Sequence, residues 1–267
     1  LIVLCLLIAG PATASEFEQP DPLTRARTLY NQGRYEEAIQ AATEARAIPA
    51  MAASASMVLG RARLERFRKG GGPADLVAAR EALASADASV MSNRDRVELV
   101  IGYAQALYLE EAFGAAAEMF ASVLERAADV SLAERERVLE WWAAAMDRFA
   151  QASDAAVRAE LYRDVVECME EELRRAPGSA TASYWLASAA RSLGDAERAW
   201  HAAIAGWVRA PLANQRRDAL RADLDRLVLQ AIIPERVKKL PPADRTPQSG
   251  EVMTEEWERI KARWSAR

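Results

Sequence analysis

Few residues in this chain have the type and spacing that chemistry needs. His201 is the sole histidine and sits beside Trp200. Cys168 falls on a stripe of apolar residues at helical spacing, with Leu161, Val165, Met169 and Leu173. A thiol–imidazole dyad would have to join two distant segments, and nothing in the sequence orients it. Cys168 is therefore expected to be a buried, inert thiol, and His201 an outward-facing residue. Zinc needs three or four ligands at close spacing, which one histidine and two cysteines (Cys5 and Cys168) do not supply. Carboxylates are abundant but come as helix-surface pairs such as Glu255 and Arg259, at the i,i+4 spacing of solvated faces. A phosphate loop requires Gly, four residues, then Gly-Lys-Ser/Thr. In RKGGGP, residues 68–73, the lysine precedes the glycines and no Ser or Thr follows, so an exposed interhelical loop is expected. No Ser/His/Asp motif, dinucleotide fingerprint or kinase motif occurs. The expectation is a protein that is not an enzyme and uses no cofactor and no metal. An enzyme with an unmarked carboxylate site stays as a third reading.

The elements that would position any site are helical. The 267 residues are 51% apolar but only 7% aromatic. Much of the apolar content is alanine, which favours helix and lets helices approach closely. A net charge of −4 argues against general nucleic-acid binding, which needs a basic surplus.

The first nine residues, LIVLCLLIA, form an unbroken apolar run followed by Gly10, Pro11 and Ala12-Thr13-Ala14. This is the hydrophobic stretch and A-x-A site of a secretory signal peptide, so residues 1–14 are expected to be removed and Ser15 to begin the mature chain. The run lacks a Met and a basic flank, and is expected to be cut short at its start. An uncleaved anchor is the alternative, although nine apolar residues fall short of the ~20 that span a bilayer. Lipidation at Cys5 is not expected, because Leu4 precedes it and Leu6-Leu7-Ile8 prolong the run. The mature chain is thus expected to be periplasmic or secreted, with Cys168 unable to form an intrachain disulfide and no integral membrane span.

After a polar lead-in at residues 15–22, small and large apolar residues recur in helical pairs. Residues 181–211 carry Leu186-Ala187, Ala190, Gly194, Ala199, Ala203, Gly206 and Pro211. Residues 23–49 carry Ala26, Leu29, Gly33, Tyr35, Ala38, Ala42 and Ala45. Residues 97–127 carry Ala104, Leu107, Phe113, Ala116, Phe120 and Val123, with Gly114 just after the turn aromatic instead of before it. Two looser pairs fill the gaps. One runs from Ala52 to Phe67, carrying Leu59-Gly60, and from Ala74 to Ala86. The other covers 132–176.

This spacing resembles the tetratricopeptide repeat, a helix–turn–helix of about 34 residues. The resemblance is clear in three pairs and rests on register in the other two. It implies an all-α superhelix, a solenoid of about five helical hairpins over residues 23–211. Residues 212–240 are expected to cap its open end through Leu220, Leu224, Leu227, Val228 and Ala231, with the chain turning at Pro234. A Pro-rich linker, 241–251, leads to an amphipathic helix at 252–267 that starts near Thr254. Its Trp257, Ile260 and Trp264 need cover, from the chain itself or from a partner.

In this family the concave wall comes mainly from the first helix of each repeat. Carrying the register across puts Arg27, Tyr30 and Asn31 there, then Arg61 and Leu64, Gln105 and Tyr108, Arg148, and Tyr184, Ser188 and Arg191. Tyrosines and arginines suit an acidic or extended peptide. The Lys and Asn pattern of chaperone-binding repeats is absent. The implied function is a non-catalytic protein–protein interaction scaffold of the cell envelope that holds an extended peptide or partner helix. The alternative is an envelope protein that binds a small molecule or glycan through Trp185, Trp200 and Trp207; the competing role for these rings is to fill gaps between repeats.

Overall fold

The computed structural model describes residues 20–126 and 131–265, without the side chains of 214–216 and Ser265. The expected signal peptide and the first residues of the lead-in lie outside the described residues. Among those described, the chain is all-helical and contains no strand. The helices are α1 (Pro22–Asn31), α2 (Tyr35–Arg46), α3 (Ala52–Arg68), α4 (Pro73–Ala84), α5 (Asn93–Leu109), α6 (Phe113–Leu124), α7 (Leu132–Ala152), α8 (Ala155–Arg175), α9 (Ala180–Ser192), α10 (Ala196–Arg209), α11 (Arg217–Leu227), α12 (Ile233–Lys239) and α13 (Ser249–Ser265). No helix among the described residues is long and apolar enough to cross a membrane.

Helices begin where the sequence offers a cap. The side chains of Asp21, Ser92, Ser131, Asp154, Ser179 and Asp195 each accept a hydrogen bond from a backbone N–H in the first turn that follows. Pro22 and Pro73 take first-turn positions, where a missing N–H costs little. Gly70 (φ +100°) ends α3 with the Gly71 N–H donating to the Arg66 carbonyl at 3.1 Å, and three shorter hairpins close with the same turn. Gly33, Glu111 and Gly194 adopt φ of +74°, +62° and +79°. The N–H of the next residue, Arg34, Ala112 or Asp195, donates back to the carbonyl of Leu29, Leu107 or Ala190 at 3.0, 2.9 and 2.8 Å. This reach caps the helix end and reverses the chain. In the third pair Glu111 holds the left-handed position that glycine fills in the other two.

Packing is mostly between neighbours in sequence. Each of α1 to α4 contacts the next helix; α5–α6–α7 and α7–α8–α9–α10 continue the chain of contacts. The odd-numbered helices also touch one another in order, α1–α3, α3–α5, α5–α7, α7–α9 and α9–α11. The buried apolar residues follow suit. One cluster spans Ala26 to Ala106, the next Val97 to Ala189, and a third Ala187 to Trp257. The core is a succession of overlapping layers and not one closed centre.

Alanine permits the close approach. Ala26, Ala38, Ala42, Ala104, Ala116, Ala143, Ala199 and Ala203 are fully buried between helices. Between α7 and α8 the packing includes charge. The Arg135 guanidinium donates from Nε (2.9 Å) and Nη2 (2.7 Å) to Glu172 Oε2, and from Nη1 (2.6 Å) to the Leu124 carbonyl.

The C-terminal segment departs from expectation in three ways. The chain does not turn at Pro234. A π-helical turn, Val228–Ile232, joins α11 to α12, and Pro234 lies in the first turn of α12. Proline has no N–H to donate and its ring crowds the carbonyl four residues back; a widened turn accommodates both defects. The last helix starts at Ser249, five residues before Thr254, whose hydroxyl donates to the Gly250 carbonyl from inside the helix (2.9 Å). Ser249 Oγ accepts from the Thr246 N–H (2.9 Å) and so fixes the junction with the linker. Arg259 donates to the Glu255 backbone carbonyl and makes no ion pair with its carboxylate among the described residues.

Helix α13 docks on its own chain. Trp257 is fully buried, with ring centroids 5.8 Å from Trp200 and 5.4 Å from Trp207, and its indole N–H donates to Asp225 Oδ1 (2.8 Å). Ile260 packs against the same cluster, while Trp264 stays exposed.

Candidate functional site

The in-order contacts of the odd-numbered helices build one wall. A groove of about 580 Å³ opens on it, lined by α1, α3, α5 and α7 together with Tyr35 at the start of α2. The lining positions repeat with helical spacing: Arg61, Glu65 and Arg68 from α3, then Ile101, Gln105 and Tyr108 from α5. From α7 come Glu134, Arg137, Val138, Trp141 and Ala144. Spacings of three, four and seven place each set on a single helix face. A smaller cavity of about 210 Å³ adjoins it, sharing Tyr30, Asn31, Arg61, Glu134 and Arg137 and adding Arg27, Arg94 and Glu98.

Aromatic rings form much of the wall. The Tyr30 and Tyr35 centroids lie 5.7 Å apart. Tyr108 meets Phe113 at 5.3 Å and Trp141 at 5.1 Å, both edge to face. The Tyr30–Tyr35 and Tyr108–Phe113 pairs join the end of one helix to the start of the next, and Tyr108–Trp141 ties α5 to α7. Burial pushes the phenols of Tyr30, Tyr35 and Tyr108 above the usual tyrosine range, and nearby arginines oppose it.

The arginines of the wall are largely spoken for. Arg61 is buried, pairs with Glu98 (Nη1 to Oε2, 3.0 Å) and lies 4.9 Å over the Tyr30 ring. Arg68 pairs with Glu65 (2.8 Å) and lies 5.5 Å over Trp141. Arg27 pairs with Asp95 (2.7 Å). Arg137 is exposed and makes no ion pair among the described residues.

Two acceptors in the wall have no such partner. Glu134 is 8% exposed, and its carboxylate has no hydrogen bond or ion pair among the described residues, although Arg61 is near enough to feel its charge. Gln105 is 4% exposed, and its Oε1 is buried without a hydrogen bond. The Nε–H groups of Arg27 and Arg61 are also buried without an acceptor among the described residues, and buried polar atoms left unpaired are costly. Glu134, Gln105 and Arg61 line the groove, and Arg27 the adjoining cavity.

The residues expected on the concave wall are distributed as follows. Tyr30, Asn31, Arg61, Gln105 and Tyr108 come together in the main groove, and Arg27 in the adjoining cavity. Ser188 and Arg191 line a separate recess of about 450 Å³ with Asp147 and Tyr162, where Arg191 pairs with Glu235 (2.9 Å). Leu64 points into the core and is 2% exposed. Tyr184 is half-buried against Trp185, and burial raises its phenol to about 12. Arg148 lies 5.3 Å over the Phe113 ring, seven residues past Trp141 and so about two turns along α7.

Sequence reasoning missed Glu134, Arg137 and Trp141. The register of the fourth pair was carried to Arg148, whereas Arg137, Trp141 and Ala144 repeat the i, i+4, i+7 pattern of Arg61, Glu65 and Arg68. That parallel was the available signal.

Trp185, Trp200 and Trp207 are 8%, 2% and 8% exposed. They have no free face on which a sugar ring could stack. His201 faces outward. Cys168 is half-buried, and burial pushes its thiol up to about 11, away from the reactive thiolate.

Compared with known proteins, the chain matches no family model, no curated sequence and no solved structure.

Proposed function

We propose that this chain is a tetratricopeptide-type solenoid and acts as a peptide-binding scaffold without catalytic chemistry. The in-order stacking of the odd-numbered helices and the shared turns at Gly33, Glu111 and Gly194 support the fold reading. The observation that carries the function is the groove itself. Helices α1, α3, α5 and α7 contribute one continuous face with aromatic walls and, among the described residues, a buried Gln105 Oε1 without a donor and a buried Arg61 Nε–H without an acceptor. A volume of about 580 Å³ suits a few residues of an extended segment. The rings of Tyr108 and Trp141 can cover side chains at little entropic cost.

The same reading takes residues 1–14 as a cleaved signal peptide and the mature chain as a periplasmic or secreted protein of the cell envelope. The glycan alternative loses support from the burial of Trp185, Trp200 and Trp207.

Panning random dodecapeptides displayed on phage against the folded protein tests the proposal. Enriched peptides should bind the wild type and lose affinity for Tyr108→Ala. Enrichment of no peptide, or of peptides indifferent to Tyr108→Ala, would refute the groove as a binding site.

A further inference from the structure

Charge does not choose the guest of this groove, because the chain has balanced it from within. Three arginines line it, Arg61, Arg68 and Arg137, against three glutamates, Glu65, Glu134 and Glu140. Arg61 pairs with Glu98 and Arg68 with Glu65. Glu140 accepts from the Trp185 indole N–H at 3.2 Å. Glu134 and Arg137 stand three residues apart on α7, where opposite charges are neighbours and offset each other's field. The ring faces are taken as well. Arg61 lies 4.9 Å from the Tyr30 centroid, Lys69 4.6 Å from that of Tyr35 and Arg68 5.5 Å from that of Trp141, so a guest cation would meet a like charge at each. The polar atoms left without partners among the described residues, Gln105 Oε1 and the Nε–H groups of Arg27 and Arg61, are enclosed by the chain and out of a guest's reach.

What the groove does present is apolar. Tyr30, Tyr108, Leu109, Trp141 and Ala144 line it and are each partly exposed, with the buried Ile101 and Val138 beside them. Apolar surface held against water in a concave place is stabilised when a guest covers it.

We infer that the groove anchors a large apolar side chain of the bound peptide, of the leucine or phenylalanine kind. This rests on the peptide-binding reading and makes it specific. The side chain lodges against Tyr108 and Trp141, whose ring centroids are 5.1 Å apart, and removes their exposed carbon from water. A volume of about 580 Å³ leaves room for it and for the backbone on either side. Arg61 and Arg68 keep their own carboxylates, so entry breaks no ion pair.

The test uses the dodecapeptides recovered by panning on the wild-type protein. They should share a large apolar residue at one position. Replacing it by alanine should weaken binding about tenfold to a hundredfold, the range for removing one buried apolar side chain. Affinity should fall by no more than about twofold between about 50 and 500 mM sodium chloride, because binding neutralises no net charge. Ala144→Glu puts a charge on the partly exposed wall and should weaken the same peptides by about tenfold or more. Circular dichroism and melting temperature establish that this variant is folded; the alanine-substituted peptides and the salt series use the wild-type chain and decide the question without it. A shared lysine, arginine, aspartate or glutamate whose replacement removes the affinity would overturn this inference and leave the peptide reading intact. So would a loss of about tenfold or more across the salt series, or binding that folded Ala144→Glu does not change. Recovery of no peptide would overturn both.

Discussion

The guanidinium of Arg61 lies 4.9 Å from the centre of the Tyr30 ring. The contact ties α1 to α3 at the mouth of the groove, and Glu98 of α5 completes it through a 3.0 Å ion pair. Three consecutive layers of the array thus meet at one cation. Arg61→Met should keep the stem's packing while removing the charge. Tyr30 already titrates above the normal range because it is buried, and Arg61 holds that rise back by favouring the phenolate. Losing the cation should therefore raise the Tyr30 phenol further. Ultraviolet difference titration of Arg61→Met against wild type, with Tyr30→Phe to assign the step, checks the sign.

Arg135 and Glu172 should behave as an inseparable pair. Glu172→Gln leaves a buried guanidinium without its counter-charge and should cost about 3–5 kcal/mol. The double substitution Arg135→Met with Glu172→Leu should recover most of that loss, because neither buried charge remains. Urea melts of the three variants measure the coupling.

Leu83 of α4 fits between two glycines. A Cβ on Gly60 would fall 2.6 Å from Leu83 Cγ, and one on Gly102 would fall 2.8 Å from Leu83 Cδ2. Gly102→Ala should destabilise by about 1–3 kcal/mol through overpacking. Adding Leu83→Val should return part of it, which calorimetry can resolve.

The Cys168 thiol should be slow to react. Its titration near 11, against 9.0 for a free thiol, leaves about a hundredfold less thiolate at pH 8 than in the unfolded chain. Burial favours the neutral form, so reactivity toward a disulfide reagent should rise with pH up to about 11 and should jump on unfolding. Cys168→Ser should leave peptide binding unchanged.

Much of the fold was legible in the residues. Five helical pairs were expected, and helices occur at each of them, because alanines at three- and four-residue spacing mark a buried face and Ser, Asp and Pro mark the helix starts. The third turn was harder to read. Glu111 adopts φ +62° without glycine's signature, since the backbone hydrogen bond from Ala112 to Leu107 imposes the conformation from outside. The end of the array was harder still: whether Pro234 breaks a helix or sits after a widened turn depends on tertiary packing around Val228 and Ile232. Of the residues expected on the concave wall, Tyr30, Arg61, Gln105 and Tyr108 line one groove, although Arg61 was placed from a pair of looser register. Glu134, Arg137 and Trp141 were missed because α7, with 21 residues, is longer than a repeat helix and its register does not transfer. Which arginines remain available was beyond the sequence altogether, since their partners Asp95, Glu98 and Glu65 are chosen by the packing of α1 and α3 against α5 and within α3.

Photo-cross-linking tests the central claim most directly. A benzophenone amino acid placed at Tyr108, inside the groove, is compared with the same group at Glu118 on the exposed face of α6. Irradiation with a panned dodecapeptide should attach it at position 108 and not at 118. Attachment at 118 alone, or equally at both, would contradict binding on the wall formed by α1, α3, α5 and α7.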